Sequence, residues 1–192
     1  MTMIRTLLAG ACLTAGLSAG AAALAADAKS PPPPCSGEAY KALDFWTGEW
    51  TAILPAGAPL PSGGVAETDV AAAAAAVSPI LDGCVYLEEW DSVPFANGQV
   101  SRGKGFHRYD SASGQWRQIW VSNSGRENIS IGTPFEGGMR YASERPGADG
   151  AVTLSRQTIV PMADGAVRNY SETSADSGKT WTMSYDFIYR RK

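Results

Sequence analysis

Histidine is almost absent from this chain, which has a single one, His107, in the stretch GKGFHRYD. A Ser-His-Asp hydrolase, or a haem protein with a histidine axial ligand, would have to use that residue. No G-x-S-x-G elbow, no H-E-x-x-H, no second histidine and no cysteine pair at zinc spacing accompanies it, so triad, metal and haem chemistry lack their usual companions. GKGF likewise lacks the rest of a phosphate-binding loop. These gaps predict no metal and no cofactor, and leave His107 as a surface or strand-face residue.

An excess of positive charge is also missing. Sixteen Lys and Arg stand against nineteen Asp and Glu, a net charge of −3, and no basic stripe interrupts that mildly acidic balance, which argues against nucleic acid as a partner. Beyond the N-terminal segment no run reaches the roughly 18 to 20 apolar residues that cross a bilayer, so the mature protein is expected to have no membrane span.

The N-terminal segment itself, MTMIRTLLAGACLTAGLSAGAAALAA, has one positive charge at Arg5, an apolar Ala/Gly/Leu-rich stretch and an A-x-A pattern at Ala23, Leu24 and Ala25. It reads as a signal peptide over residues 1–26, which predicts a periplasmic or secreted protein. Cys12 falls inside it. Cys35 and Cys84 remain after cleavage, in a compartment where thiols oxidise, and are expected to form one disulfide. Residues 27–34, ending in four consecutive prolines, form an extended spacer, and residues 35–192 are long enough for one domain with its own core.

Within that domain SGEAYKALDFW allows a short N-terminal helical turn. From Trp46 onward, short runs rich in β-branched and aromatic residues alternate with Gly- and Asp-bearing turn clusters such as DSASGQ, FEGGM, MADGA and SADSGKT, the mark of successive hairpins. The runs are Glu49 to Leu54, Cys84 to Asp91, Gln99 to Tyr109, Gln115 to Asn123, Asn128 to Thr133, Arg140 to Glu144, Ala151 to Pro161, Val167 to Ser174 and Trp181 to Arg190. VAAAAAAVSPI, Val70 to Ile80, is the best helix former of the chain by propensity. A helix without a polar face would need burial all round, and a tenth strand is the preferred reading. An antiparallel meander of nine or ten strands removes its open edges by closing, so the expected fold is an all-β, up-and-down barrel.

Alternation then nominates the interior. Trp116, Gln118, Trp120 and Ser122 share one face, Glu88 and Trp90 another, and Glu172 lies with Tyr170 and Arg168. In the last strand Trp181, Met183, Tyr185, Phe187 and Tyr189 alternate with more polar residues. Trp90, Gln118, Trp120, Glu172 and Tyr185 are the expected lining of a lumen that binds a small, partly apolar molecule. Two other readings stand beside it: an enzyme using Glu88 and Glu172 as general acid and base, or an envelope protein-interaction module.

At DFWTGEW, ILDGCVYLEEW, YDSASGQWRQIWV and DSGKTWTMSYDFIYRR the chain resembles the DUF1579-like group of exported bacterial proteins of unknown function. The pattern of that group, F-D-F-W-x-G-x-W, L-x-G-C, F-Y-D-x5-W-x-Q-x-W and a late T-W, spans Cys35 to Arg190. The G-x-W at Gly48, Glu49 and Trp50 adds a looser similarity to calycin barrels of the lipocalin and nitrobindin kind. The resemblance implies a calycin-like barrel with an internal pocket. It carries no haem role, because nitrobindin-like proteins hold haem through a histidine near the C-terminal end, where this chain has none. The alanine run also departs from the family pattern.

Overall fold

The structure, a computed structural model, describes residues 34–60, 64–95, 97–147 and 150–192. The leader expected over residues 1–26 and nearly all of the spacer over 27–34 lie outside these. The described residues form one compact unit. No helix among the described residues is long and apolar enough to cross a membrane.

Ten strands follow one another: β1 (Gly48–Leu54), β2 (Val70–Ile80), β3 (Val85–Ser92), β4 (Arg102–Asp110), β5 (Gln115–Ser122), β6 (Glu127–Phe135), β7 (Gly138–Pro146), β8 (Val152–Pro161), β9 (Val167–Ser174) and β10 (Thr182–Arg191). Each pairs antiparallel with its neighbours in sequence, and β1 pairs with β10, so the sheet is a closed up-and-down barrel. Turn chemistry explains the meander. Between β6 and β7, Glu136 and Gly137 both take positive φ, 47° and 75°, as a two-residue hairpin turn that follows strand twist demands.

The alanine run is strand β2, and the reason lies in its neighbours. Ala75 pairs with Trp50 of β1 on one side and with Trp90 of β3 on the other. A methyl group between two indoles leaves room for both rings, and packing overrides helix propensity. Ala73, Ala75 and Val77 are buried while the residues between them face outward.

The two ends of the barrel differ. One end is plugged by the segment before β1, where two short 3-10 turns, Glu38–Lys41 and Asp44–Trp46, carry Leu43 and Trp46 fully into the interior. The helical turn expected there is present, and the first strand begins at Gly48, one residue before the expected Glu49. The Trp50 indole donates to the Trp46 carbonyl at 3.0 Å, and the Tyr86 hydroxyl donates to the Asp44 carboxylate. Cys35 and Cys84 are bonded, with Cα atoms 5.0 Å apart, which pins the plug to the start of β3. Trp46, Trp50, Tyr141, Met139, Ile159 and Tyr189 form the centre of the apolar core.

The other end, the mouth, is ringed by the β1–β2, β3–β4, β5–β6, β7–β8 and β9–β10 connections. One expectation fails on the way there. β10 carries a bulge between Met183 and Tyr185, so the alternation breaks. Tyr185, Phe187 and Tyr189 face inward, whereas Met183 pairs with Glu172 on the outer surface and Trp181 lies outside under Arg156.

Candidate functional site: the barrel interior

The lumen is built from its floor upward. Strand β3 turns Glu88 inward and β4 turns His107 inward, and both are buried, at 2% and 0% exposure. His107 Nε2 lies 3.4 Å from Glu88 Oε2 and its Nδ1 lies 3.0 Å from the Tyr141 hydroxyl. The Tyr189 hydroxyl donates to Glu88 Oε1 at 3.2 Å, and the Trp46 ring stands edge-on to the imidazole, 5.3 Å away between centroids. Gly105 makes this approach possible, because a Cβ there would come within 2.9 Å of both Glu88 Oε2 and His107 Nε2. His107 is therefore not a surface residue; it is the centre of a buried polar cluster. Burial, and then the negative charge of Glu88, push the phenols of Tyr141 and Tyr189 well above their ordinary range, so both stay protonated donors.

From the floor a chain of neutral amides and hydroxyls climbs the wall. Asn169 donates to the Tyr189 hydroxyl at 3.3 Å, Gln157 donates to Asn169 at 3.0 Å, Gln118 donates to Gln157 at 2.8 Å, and Ser130 donates to Gln118 at 2.8 Å. Higher still, the Ser143 hydroxyl reaches Asn128. The register of β5 to β9 carries all of these on one inner face. A buried network with each member satisfied holds its geometry, which suits a surface that must present fixed donors and acceptors.

The facing wall is aromatic. Tyr185 and Phe187 stack with centroids 5.2 Å apart, and Phe187 meets Trp90 at 4.9 Å. Trp90 pairs with Gly103 of β4, and the Trp120 ring lies across that same glycine, in the space a Cβ would need. The four rings thus make one surface that runs towards the mouth, where Trp90, Trp120 and Phe187 are only partly buried. There a groove of about 750 Å³ opens between the β3–β4 connection and the β5–β6 turn, with Trp120 and Asn128 at its inner side.

Of the residues expected to line the lumen, Trp90, Gln118, Trp120 and Tyr185 do face it. Glu172 does not. It stands on the outer surface of β9, where Arg156 donates to its carboxylate at 2.7 Å, and that hydrogen bond holds the Glu172 carboxyl below its usual range. Tyr170 and Arg168 share its outer face, and Arg168 forms a bidentate pair with Asp186. Alternation identified the face-mates of Glu172 correctly but not the side they occupy. Glu88 and Glu172 consequently form no acid/base pair: the barrel wall separates them, and Glu172 is an ion-pair partner. Among the described residues no cluster of His, Cys, Asp and Glu could hold a metal ion.

His107, Tyr141, Asn169 and Gln157 were not singled out as lining. The first is legible only once its strand face is known. The others are scattered single polar residues in apolar strands, a weak signal until the register brings them together. No protein-family model matches this chain, and no curated protein is significantly similar to it.

Proposed function

We propose that the protein binds a small, partly apolar molecule in the mouth-side half of a calycin-like lumen, with Trp90, Trp120, Tyr185 and Phe187 as the apolar wall and Gln118, Gln157 and Asn169 as the hydrogen-bonding wall. The observation that carries this reading is the division of the inner face: large rings on one side, a satisfied amide and hydroxyl chain on the other, and partly uncovered tryptophans between them and solvent. Aromatic area supplies affinity and a few placed polar groups supply orientation. A barrel serving structure alone has no need of indoles left half-covered at its opening.

The compartment proposed is the periplasm or the exterior of the cell. The leader-like N-terminus and the Cys35–Cys84 bridge support it, because disulfides persist where thiols oxidise. The resemblance to exported DUF1579-like proteins points the same way.

Native mass spectrometry of protein isolated from its own host tests the binding reading. A defined small-molecule adduct that disappears in Trp120→Ala is expected. Uniform apo mass, together with unchanged tryptophan emission across a panel of aromatic solutes, would sink it.

A further inference from the structure

We infer that the mouth of the barrel is an organic-anion site: Arg126 and Arg145 receive the carboxylate, phosphate or sulfonate of a ligand whose flat apolar body lies on Trp120 and Phe95. The inference rests on the lumen-binding reading above and names the chemical class of its ligand.

The argument begins with alternation. In β6 the inward positions include Asn128 and Ser130, and stepping back by two reaches Arg126, in the turn before the strand. In β7 the inward positions include Tyr141 and Ser143, and stepping forward by two reaches Arg145. Both arginines therefore continue the lumen face outward to its rim. Of the adjacent acids, Glu144 pairs with the outward Leu154, and Glu127 pairs with the outward Val121 although it also borders the groove, so two arginines stand there against one carboxylate. The lumen face of this rim thus presents two cations, although the whole chain carries a net charge of −3.

These cations are uncommitted. Arg126 makes one side-chain hydrogen bond, from its Nε to the Ser124 hydroxyl at 3.4 Å, and its guanidinium has no carboxylate partner among the described residues. Arg145 has neither a hydrogen bond nor an ion pair from its side chain among the described residues. Four other arginines of the barrel are tied, Arg102 to Asp91, Arg156 to Glu172, Arg168 to Asp186 and Arg190 to Asp164; Arg108 and Arg117 also have no ion pair among the described residues, but neither lines the groove. Arg126 and Arg145 line one groove of about 750 Å³ together with Phe95, Trp120 and Asn128, a size that takes a one- or two-ring molecule. A guanidinium is the side chain best matched to a planar oxyanion, and two at one rim beside an indole select an acid group attached to a ring. Deeper in the lumen the wall is neutral until Glu88, so a ligand's acid is favoured at the rim and disfavoured at the floor.

Isothermal titration of the mature protein with 2-naphthoate, 2-naphthyl phosphate and the neutral methyl ester of 2-naphthoate tests this. All three share one ring body, so the acid group is the variable. Expected is binding of all three, with the anions tighter at low salt and weakened by added salt, and the ester indifferent to salt. The double variant Arg126→Gln/Arg145→Gln should weaken the anions by about tenfold or more and leave the ester unchanged. Both arginines are exposed, and circular dichroism checks that the variant folds; the single variant Arg145→Gln and the salt series on the unaltered protein repeat the test without relying on it. The ranking of naphthoate against naphthyl phosphate tells which acid is preferred. Ester binding with anion affinities that ignore both salt and the substitutions overturns the arginine site and leaves the lumen reading standing. Arginine-dependent anion binding without ester binding supports the anion site and overturns the lumen reading. Failure of all three ligands to bind overturns both.

Discussion

Gly103 and Trp120 occupy one space: the indole lies across the glycine, and any side chain at position 103 would overlap the ring. The aromatic wall therefore depends on a residue that contributes no atoms to it. Gly103→Val should expel Trp120 from the wall, destabilise the barrel by about 1–3 kcal/mol through overpacking, and shift tryptophan emission to the red. Gly103→Val/Trp120→Ala should recover part of the lost stability. Urea unfolding of the three variants measures both effects, and equal stability of Gly103→Val and the parent protein would refute the steric account.

The buried carboxylate of Glu88 answers two donors, His107 and Tyr189. Truncation to alanine strands both in a buried site, and a loss of about 3 kcal/mol is expected. Glu88→Gln preserves the shape and some of the hydrogen bonding and should lose less. A double-mutant cycle with His107→Phe reads the coupling directly. A coupling of zero would mean that the contact contributes nothing to folding.

The bridge between Cys35 and Cys84 joins residues 49 apart in sequence. Closing a loop of that length lowers the entropy of the unfolded chain, by about 4 kcal/mol in the chain-entropy model. Reduction, or Cys35→Ser with Cys84→Ser, should move the denaturant midpoint down with little change in native fluorescence, because Leu43 and Trp46 remain buried by packing. Loss of the Trp46 and Trp50 environment in the reduced native protein would show instead that the bridge itself positions the plug.

Alkaline pH should unfold this barrel cooperatively. Tyr141 and Tyr189 are buried near Glu88 and Tyr185 is partly buried there, and burial first, with the charge of Glu88 second, raises all three phenols above their ordinary value of 10.0. A group whose pKa is raised on folding stabilises the folded state fully below its unfolded pKa and loses that contribution as pH rises above it. Stability should thus be flat to about pH 10, the unperturbed tyrosine value, and fall beyond it. Absorbance at the phenolate band should show the three ionising together with loss of far-ultraviolet structure. Smooth ionisation of every tyrosine in a still-folded protein would contradict the burial.

The architecture was legible because its determinants are local. Turn clusters separated by alternating runs dictate hairpins, and a long meander without helices closes. Val70–Ile80 shows where local signals stop: its six alanines favour helix by themselves, yet Ala75 is needed between Trp50 and Trp90, which only the register reveals. Glu172 fails, and the inward side of the strand-face His107 is missed, for a related reason. Alternation tells which residues share a face, and in β9 the only aromatic, Tyr170, stands on the outer face with Arg168 and Glu172 while the inner face carries Val167, Asn169 and Ser171, so nothing local says which is inside. The bulge at Met183 to Tyr185 inverts the pattern midway through β10 and moves Trp181 to the exterior. Of the polar wall only Gln118 is legible in the sequence; Gln157 and Asn169 come from two other strands, and their connection to it exists only in the closed barrel.

The seam between β1 and β10 has a kinetic meaning. Four residue pairs, from Trp50 with Arg191 to Ile53 with Ile188, join the first strand made to the last one. Until β10 has been synthesised, β1 offers an unpaired edge and the core around Trp50 and Tyr189 has no partner, so the molecule cannot mature strand by strand. Its folding must wait for a contact between distant parts of the chain, which makes it slow and leaves the unfinished polypeptide exposed to sticking to its own kind. A chaperone that shields that first edge, or a permuted chain that makes β10 and β1 consecutive, would speed assembly without altering the finished barrel.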